Sequence, residues 1–256
     1  MLTKRIIPSL LLDQGKLIKT EKFSRPTYIG DPINAVKIFN EKSVDELFVL
    51  DISASRQGSR PNFSLLEQIA SEAFVPVAYG GGIRTLDDAQ TLLSIGIEKL
   101  VINSAAFTRI EFISELRDQF GAQCVVGSVD AKKRFFRGYT VHSHSRCSIA
   151  ERDPVLWSEK LVQAGAGEIL LQSVDRDGTM QGFDLSLLAA FHQRLSVPLV
   201  AAGGAGALET MLQAFASCNL SGIAVGARFV FHGPHRGVLI QYLEADELRR
   251  LQNGSR

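Results

Sequence analysis

Four aspartates stand where apolar runs break off: Asp51 after ELFVL, Asp130 after CVVGSV, and Asp175 and Asp177 in SVDRDGT. A carboxylate at the end of a buried strand can work as a general acid or base once its surroundings tune its pKa. Asp175 and Asp177, beside Gly178, also suit an ordinary turn, whereas Asp130 is the hardest to explain as structure alone. Two glycine-rich segments, AYGGGIRT around Gly81 and Gly82 and VAAGGAGA around Gly203 and Gly204, lie between a strand end and a helix start. Each reads either as a cradle whose backbone N–H groups meet a phosphate or as a tight turn without a ligand. Asn103-Ser104 and Gly226-Ala227 offer each cradle a second wall. Two such sites suit a long substrate with a phosphate at each end. Lys19 could reach a phosphate or carbonyl of that substrate, or simply be solvated. Arg5, Glu46, Lys99 and Glu168 each begin an apolar run, so they should meet at the opposite end as a ring of ion pairs. On residue type alone that ring is structural, since that end of a barrel concerns stability. His142 and His144 form the one HxH pair, and without HExxH or CxxC spacing no metal site is expected.

The elements that must position these residues are short and regular. Apolar, β-rich runs begin at Arg5, Glu46, Pro76, Lys99, Cys124, Glu168, Pro198 and Gly222. They are nearly continuous in apolar residues, as strands buried on both faces must be. Amphipathic stretches such as NFSLLEQIASEAF, TLDDAQTLLSIG and LETMLQAFASC separate them. This alternation predicts an α/β fold, a single (β/α)8 TIM barrel over residues 1–256. Strand starts are about 41, 30 and 23 residues apart in the first half and about 44, 30 and 24 in the second. At an offset of about 122 residues Pro76 matches Pro198, Gly81 Gly203, Gly82 Gly204, Leu86 Leu208, Ala105 Ala227 and Phe107 Phe229. The barrel therefore reads as two half-barrels, about 1–122 and 123–245. Residues 11–30 are expected to form a long functional or mobile loop, and RFFRGYTVHSHS a small hairpin.

Composition bounds the partners. The 256 residues carry 28 Lys and Arg against 27 Asp and Glu, a net charge of +1, so no basic footprint for nucleic acid or an anionic membrane is expected. Cys124, Cys147 and Cys218 are odd in number and unsuited to a disulfide framework, with two of them in apolar stretches where buried thiols are expected. No apolar run reaches the roughly 18 residues of a spanning helix, and the start MLTKRIIPSLLLDQG lacks a small-residue cleavage site. A soluble, reducing compartment is the expectation.

KRIIPSL, DELFVLDISAS, AYGGGIRT, INSAA, VDAKK, GAGEILLQSVDRDGT and AAGGAGALETMLQAF occur in this order along the whole chain. Together they resemble the HisF family, the cyclase subunit of imidazole glycerol phosphate synthase. The resemblance implies a half-barrel duplication and no cofactor. It also implies a HisH-like glutaminase docked on the N-terminal face of the barrel. Ammonia then passes through the core to cleave and cyclise a bisphosphorylated ribonucleotide. On this resemblance Asp130 is one of two acid/base aspartates and Lys19 a substrate-contacting loop lysine. Gly82, Asn103 and Ser104 form one phosphate site, and Asp51 and Asp177 are further active-site carboxylates. Arg5, Glu46, Lys99 and Glu168 become an ammonia gate, and Glu98 a contact to the glutaminase.

The departures carry as much meaning. Leu11 stands where the family has its other essential aspartate, and Ala202 and Ala227 stand where it usually offers hydroxyls. General acid–base catalysis contributes about 10²–10⁴-fold, so cyclisation should be crippled unless Asp13 substitutes. PSLLLDQGKLIKT, GDPINAVKIFNEKSVDEL and FVFHGPHRGVLIQY are similar to a divergent, WbuZ-type branch associated with glycosyl amidation. That likeness implies a cytoplasmic barrel that takes ammonia from a HisH-like glutaminase for a separate sugar amidotransferase acting on surface-polysaccharide sugars. Two other readings stand beside it: a working cyclase of histidine biosynthesis, and a non-catalytic scaffold that activates a glutaminase and binds a phosphorylated small molecule.

Overall fold

Strands covered on both faces must be apolar at nearly every position, and the runs picked out above fold accordingly. The computed structural model describes residues 4–136, 138–143 and 151–253. Its strands are β1 (Arg5–Asp13), β2 (Lys16–Glu21), β3 (Ser24–Gly30), β4 (Leu47–Asp51), β5 (Val77–Gly80), β6 (Lys99–Ile102), β7 (Val125–Lys133), β8 (Tyr139–Val141), β9 (Glu168–Ser173), β10 (Leu199–Ala202) and β11 (Gly222–Val225), with a short pair β12 (Phe231–His232) and β13 (Gly237–Val238). The parallel strands run β1-β4-β5-β6-β7-β9-β10-β11, and β11 pairs back onto β1, which closes an eight-stranded barrel. Around it lie α1 (Pro32–Glu41), α2 (Ile52–Gln57), α3 (Phe63–Glu72), α4 (Leu86–Ser94), α5 (Ser104–Thr108), α6 (Glu111–Phe120), α7 (Pro154–Ala164), α8 (Leu185–Phe191), α9 (Leu208–Ser217), α10 (Ala227–Val230) and α11 (Ala245–Asn253). None of the described helices is long and apolar enough to cross a membrane.

Local sequence explains where the helices start. Asp31 caps α1 ahead of Pro32, and Thr85 and Asp88 form a reciprocal capping box on α4. Alternate strand residues then divide between two cores. Ile7, Phe48, Ala78, Val101, Val126, Leu170, Val200 and Ala224 fill the barrel interior, while a larger cluster packs between sheet and helices.

The half-barrel relation is visible in the strand register. Leu11 pairs with Leu50 across β1 and β4, and Asp130 pairs with Gln172 across β7 and β9. The repeat offset carries Leu50 onto Gln172, so Leu11 and Asp130 occupy equivalent places. Gly81 and Gly203 repeat one steric demand: a Cβ on either would strike a carbonyl oxygen, that of Asp51 or that of Ser173. The match slips by one residue at the last unit of each half. Asn103 (φ −124°, ψ −84°) and Gly226 (φ −104°, ψ −82°) precede α5 and α10 with the same backbone, so Ala227 corresponds to Ser104 rather than to Ala105.

Residues 11–30 are not an irregular loop. β1 continues through Asp13, turns at Gln14-Gly15, and returns as β2 and β3. Both turn residues have positive φ (52° and 76°), the geometry of a two-residue hairpin, and Leu12, Leu17, Ile18 and Ile29 are buried by it. The second expected hairpin forms between β7 and β8, with Ala131 opposite Val141 and Arg134 N donating to the Gly138 carbonyl at 2.9 Å. His144 and Cys147 lie outside the described residues. Of the other cysteines Cys218 is buried and Cys124 half-buried.

Candidate active site and the charged ring beneath it

At the N-terminal end of the barrel the four charges that begin β1, β4 (one residue ahead of it), β6 and β9 meet. Arg5 Nη1 contacts Glu46 Oε2 at 2.6 Å, and Arg5 Nη2 contacts Glu168 Oε1. Lys99 Nζ lies 2.8 Å from Glu46 Oε1 and 2.9 Å from Glu168 Oε2. The contact to Glu168 is a directed hydrogen bond, and that to Glu46 an ion pair without one. Charges therefore alternate around a closed ring whose carboxylates are buried and whose cations are about one-quarter exposed (22% and 24%). Glu98 is exposed on the same end.

At the C-terminal end the sites predicted from sequence gather around two spaces. A cleft of about 670 Å³ is lined by Leu11, Asp51, Gly81, Gly82, Asn103, Ser104 and Asp130. A much smaller space of about 20 Å³ is bounded by Lys19, Asp177, Gly203, Gly204, Gly226 and Ala227. Leu11 and Gln172 border both. The carbon side chain of Leu11, 7% exposed, offers no proton to either space.

Asp130 sits at the end of the buried part of β7. Asn103 Nδ2 donates to its Oδ2 at 3.0 Å and lies 3.5 Å from Ser128 Oγ. Burial pushes the Asp130 carboxyl up to about 7; the Asn103 hydrogen bond works against this, and the negative charge of Asp177 adds to it. A carboxyl poised near neutrality can both give and take a proton at the mouth of a barrel. The amide of Asn103 thus holds Asp130, while Ser104 opens α5 beside it.

The other candidates divide unexpectedly between structure and site. Asp51 Oδ1 accepts from Ser53 N, Ala54 N and Ser53 Oγ, the work of a helix cap on α2. Asp177 lies in a turn, as its place beside Gly178 allowed, and is also buried with Lys19, its Oδ1 2.7 Å from the ammonium. Lys19 is therefore not solvated, because the β2–β3 hairpin carries it inward. Asp175 accepts from Lys133 N at 2.7 Å, a structural role, and Asp13 is ion-paired with Arg56 at 3.1 Å.

Gln172 escaped the sequence reading. Its amide Nε2 lies 3.4 Å from Asp177 Oδ1, and its side chain forms the partition between the two spaces. The signal was available: in EILLQS the apolar run Ile169-Leu170-Leu171 breaks off at Gln172, the same feature that singled out Asp130. Arg84, on the cleft wall, was likewise overlooked inside AYGGGIRT.

Comparison with known proteins accords with this architecture. Residues 5–235 match the model of the family described as "Histidine biosynthesis protein". A Pseudomonas aeruginosa protein provisionally named imidazole glycerol phosphate synthase subunit hisF2 is 46% identical over 248 residues, 97% of this chain and 99% of its own. A Leptospira interrogans protein provisionally named imidazole glycerol phosphate synthase subunit HisF is 44% identical over 98% of this chain and 99% of its own. The imidazole glycerol phosphate synthase subunit HisF of Streptococcus sanguinis is 38% identical over 91% of each chain.

Proposed function

The chain belongs to the histidine biosynthesis protein family as a HisF-like homologue of imidazole glycerol phosphate synthase, and from that premise we propose that it serves as an ammonia-conducting barrel. In this reading a HisH-like glutaminase docks on the N-terminal face near Glu98 and releases ammonia below the ring of Arg5, Glu46, Lys99 and Glu168. Arg5 and Lys99, the ring members that reach solvent, are the ones able to swing aside. Neutral ammonia then crosses the layer of Ile7, Phe48, Val101 and Leu170, where a charged ammonium ion would lose its hydration without compensation. It emerges beside Asp130. A separate amidotransferase consumes it, its nitrogen bonding to the carbonyl carbon of an acetamido group of a surface-polysaccharide sugar while the carbonyl oxygen leaves as water, which gives an acetamidino group, and the complex works in the cytoplasm. The observation that carries this reading is Leu11 at the place equivalent to Asp130, above a complete ring. Cyclisation needs a proton-transfer group on each side of the substrate, and leucine has none.

A second reading, a working cyclase subunit, is favoured by Asp130 itself, whose carboxyl near 7 suits acid–base chemistry. The discriminating experiment supplies the bisphosphorylated ribonucleotide with excess ammonium at alkaline pH and follows imidazole formation. Turnover lower by about 10²–10⁴-fold than in a HisF that keeps both aspartates, with partial recovery in Leu11→Asp, is the expected result. Near-normal turnover would overturn the conduit reading and leave the cyclase.

A further inference from the structure

The β7–β8 hairpin rises from the strand that carries Asp130. β7 continues three residues past that carboxyl before the chain turns, so the tip stands about 15 Å beyond it on the C-terminal face. The base is fixed. Ala131, Lys132 and Lys133 pair with Val141, Thr140 and Tyr139, Lys133 N donates to Asp175 Oδ2 at 2.7 Å, and Tyr139 Oη donates to Asp184 Oδ1 at 2.7 Å. Held in this way, the hairpin lifts Phe135 and Phe136 clear of the protein, 93% and 89% exposed, their rings packed edge to face with centroids 4.6 Å apart. No other large apolar side chain among the described residues is as exposed. Residues 131–143 contain Lys132, Lys133, Arg134 and Arg137 and no carboxylate. Lys132, Lys133 and Arg134 are exposed, without an ion-pair partner among the described residues. The neighbouring β2–β3 hairpin leans against this one through Phe23, whose ring lies 6.1 Å from that of His142, and adds exposed Lys22 and Arg25.

We infer that these hairpins dock the barrel mouth on an anionic lipid surface, with Phe135 and Phe136 sunk below the headgroups and the cations among the lipid phosphates. At a bilayer interface exposed rings leave water, and each lysine or arginine beside them gains from the negative surface potential. A protein partner would need a patch of roughly 800 Å² per side, whereas two rings at the end of a hairpin make a point surrounded by charges of one sign. The net charge of +1 averages out this local excess, so docking here departs from the expectation that the whole-chain charge sets. The charged ring and Glu98, at the opposite end of the barrel, stay in water. This docking is independent of the ammonia-conduit reading.

Cosedimentation of the full chain with sucrose-loaded vesicles tests this, with equimolar phosphatidylglycerol and phosphatidylcholine compared with phosphatidylcholine alone at low salt. Binding to the anionic vesicles should be at least about tenfold tighter than to the neutral ones, and should fall as salt is raised. Phe135→Ser with Phe136→Ser should weaken it about tenfold or more. Lys132→Gln with Lys133→Gln should weaken it about 25-fold, at about fivefold for each cation. Both variants should keep the wild-type circular dichroism, because the substituted side chains are exposed. Phe135→Trp reports the insertion itself: its emission, added to that of buried Trp157, should shift to the blue with anionic vesicles. No binding to anionic vesicles, or equal binding to neutral ones, would overturn the proposal. Binding unchanged in the serine variant, or Trp emission that does not move, would overturn the phenylalanines as the inserted part. Self-association of the wild type that the serine variant abolishes would assign the tip to a second copy of the chain instead.

Discussion

Replacing Asp130 with asparagine should stabilise the protein, increasingly so as the pH rises from about 4 to about 7. Burial at the floor of the cleft moves the carboxyl from 3.8 up to about 7; the Asn103 hydrogen bond opposes the move and the Asp177 charge adds to it. In the unfolded chain the group returns to its ordinary value. Between the two values the folded protein holds a proton that the unfolded chain has released. The stabilising contribution is therefore complete below the unfolded value and is lost as pH rises through the folded one. The span from 3.8 to about 7 corresponds to about 4 kcal/mol, at about 1.4 kcal/mol for each tenfold in proton affinity. Relaxation around the ionised carboxylate brings the expected gain to about 2–4 kcal/mol at pH 8. Asparagine has nearly the same shape, and its Oδ1 can still accept from Asn103 Nδ2. Urea denaturation of both proteins from pH 4 to pH 8.5 measures the difference directly. It should be near zero at pH 4, climb by about 1 kcal/mol per pH unit, and level off above 7. A difference flat across that range, or a variant less stable at pH 8.5, would refute the idea that Asp130 is a buried charge held against its solvation.

Two further perturbations test other parts of the molecule. Lys99→Met removes one cation from between two buried carboxylates, so it should cost about 3 kcal/mol in urea denaturation, while replacing all four ring members by apolar residues should cost far less; on the conduit reading the single variant also disturbs glutamine-dependent amidation, and on the scaffold reading it leaves that activity intact. Tyr79→Phe should be neutral or stabilising by about 1 kcal/mol in the same assay, since the Tyr79 hydroxyl is fully buried and has no hydrogen-bond partner among the described residues; a clear loss of stability would mean that the hydroxyl is satisfied.

Much of the site was legible because its signals are local. The four charges of the ring could be placed together from their positions at strand starts, because parallel strands of a closed barrel deliver all their first residues to one end. Asp130 stood out because a polar side chain ending an apolar strand demands an explanation. The β1–β2 turn was missed for an equally local reason. Gln14-Gly15 between Leu11-Leu12 and Leu17-Ile18 is a two-residue hairpin signal, hidden by treating the whole stretch as a connection.

The sequence by itself determined the eight strands and their grouping into two related halves; the place of Leu11 opposite a family aspartate entered only with the resemblance. Apolar periodicity and strand spacing act over a few residues at a time, so no knowledge of the assembled chain was needed. Only the tertiary structure decided which aspartates are free. It gave Asp51 to the start of α2 and Asp177 to Lys19, 158 residues earlier in the chain. Nothing in the local sequence distinguishes a carboxylate that caps a helix from one that holds a distant lysine, because the difference lies in which segment the fold brings opposite. The same contact sets Lys19 beside one cradle and not beside its symmetric twin. The two halves repeat the same strands, but Lys19 of the β2–β3 hairpin borders the second cradle and not the first.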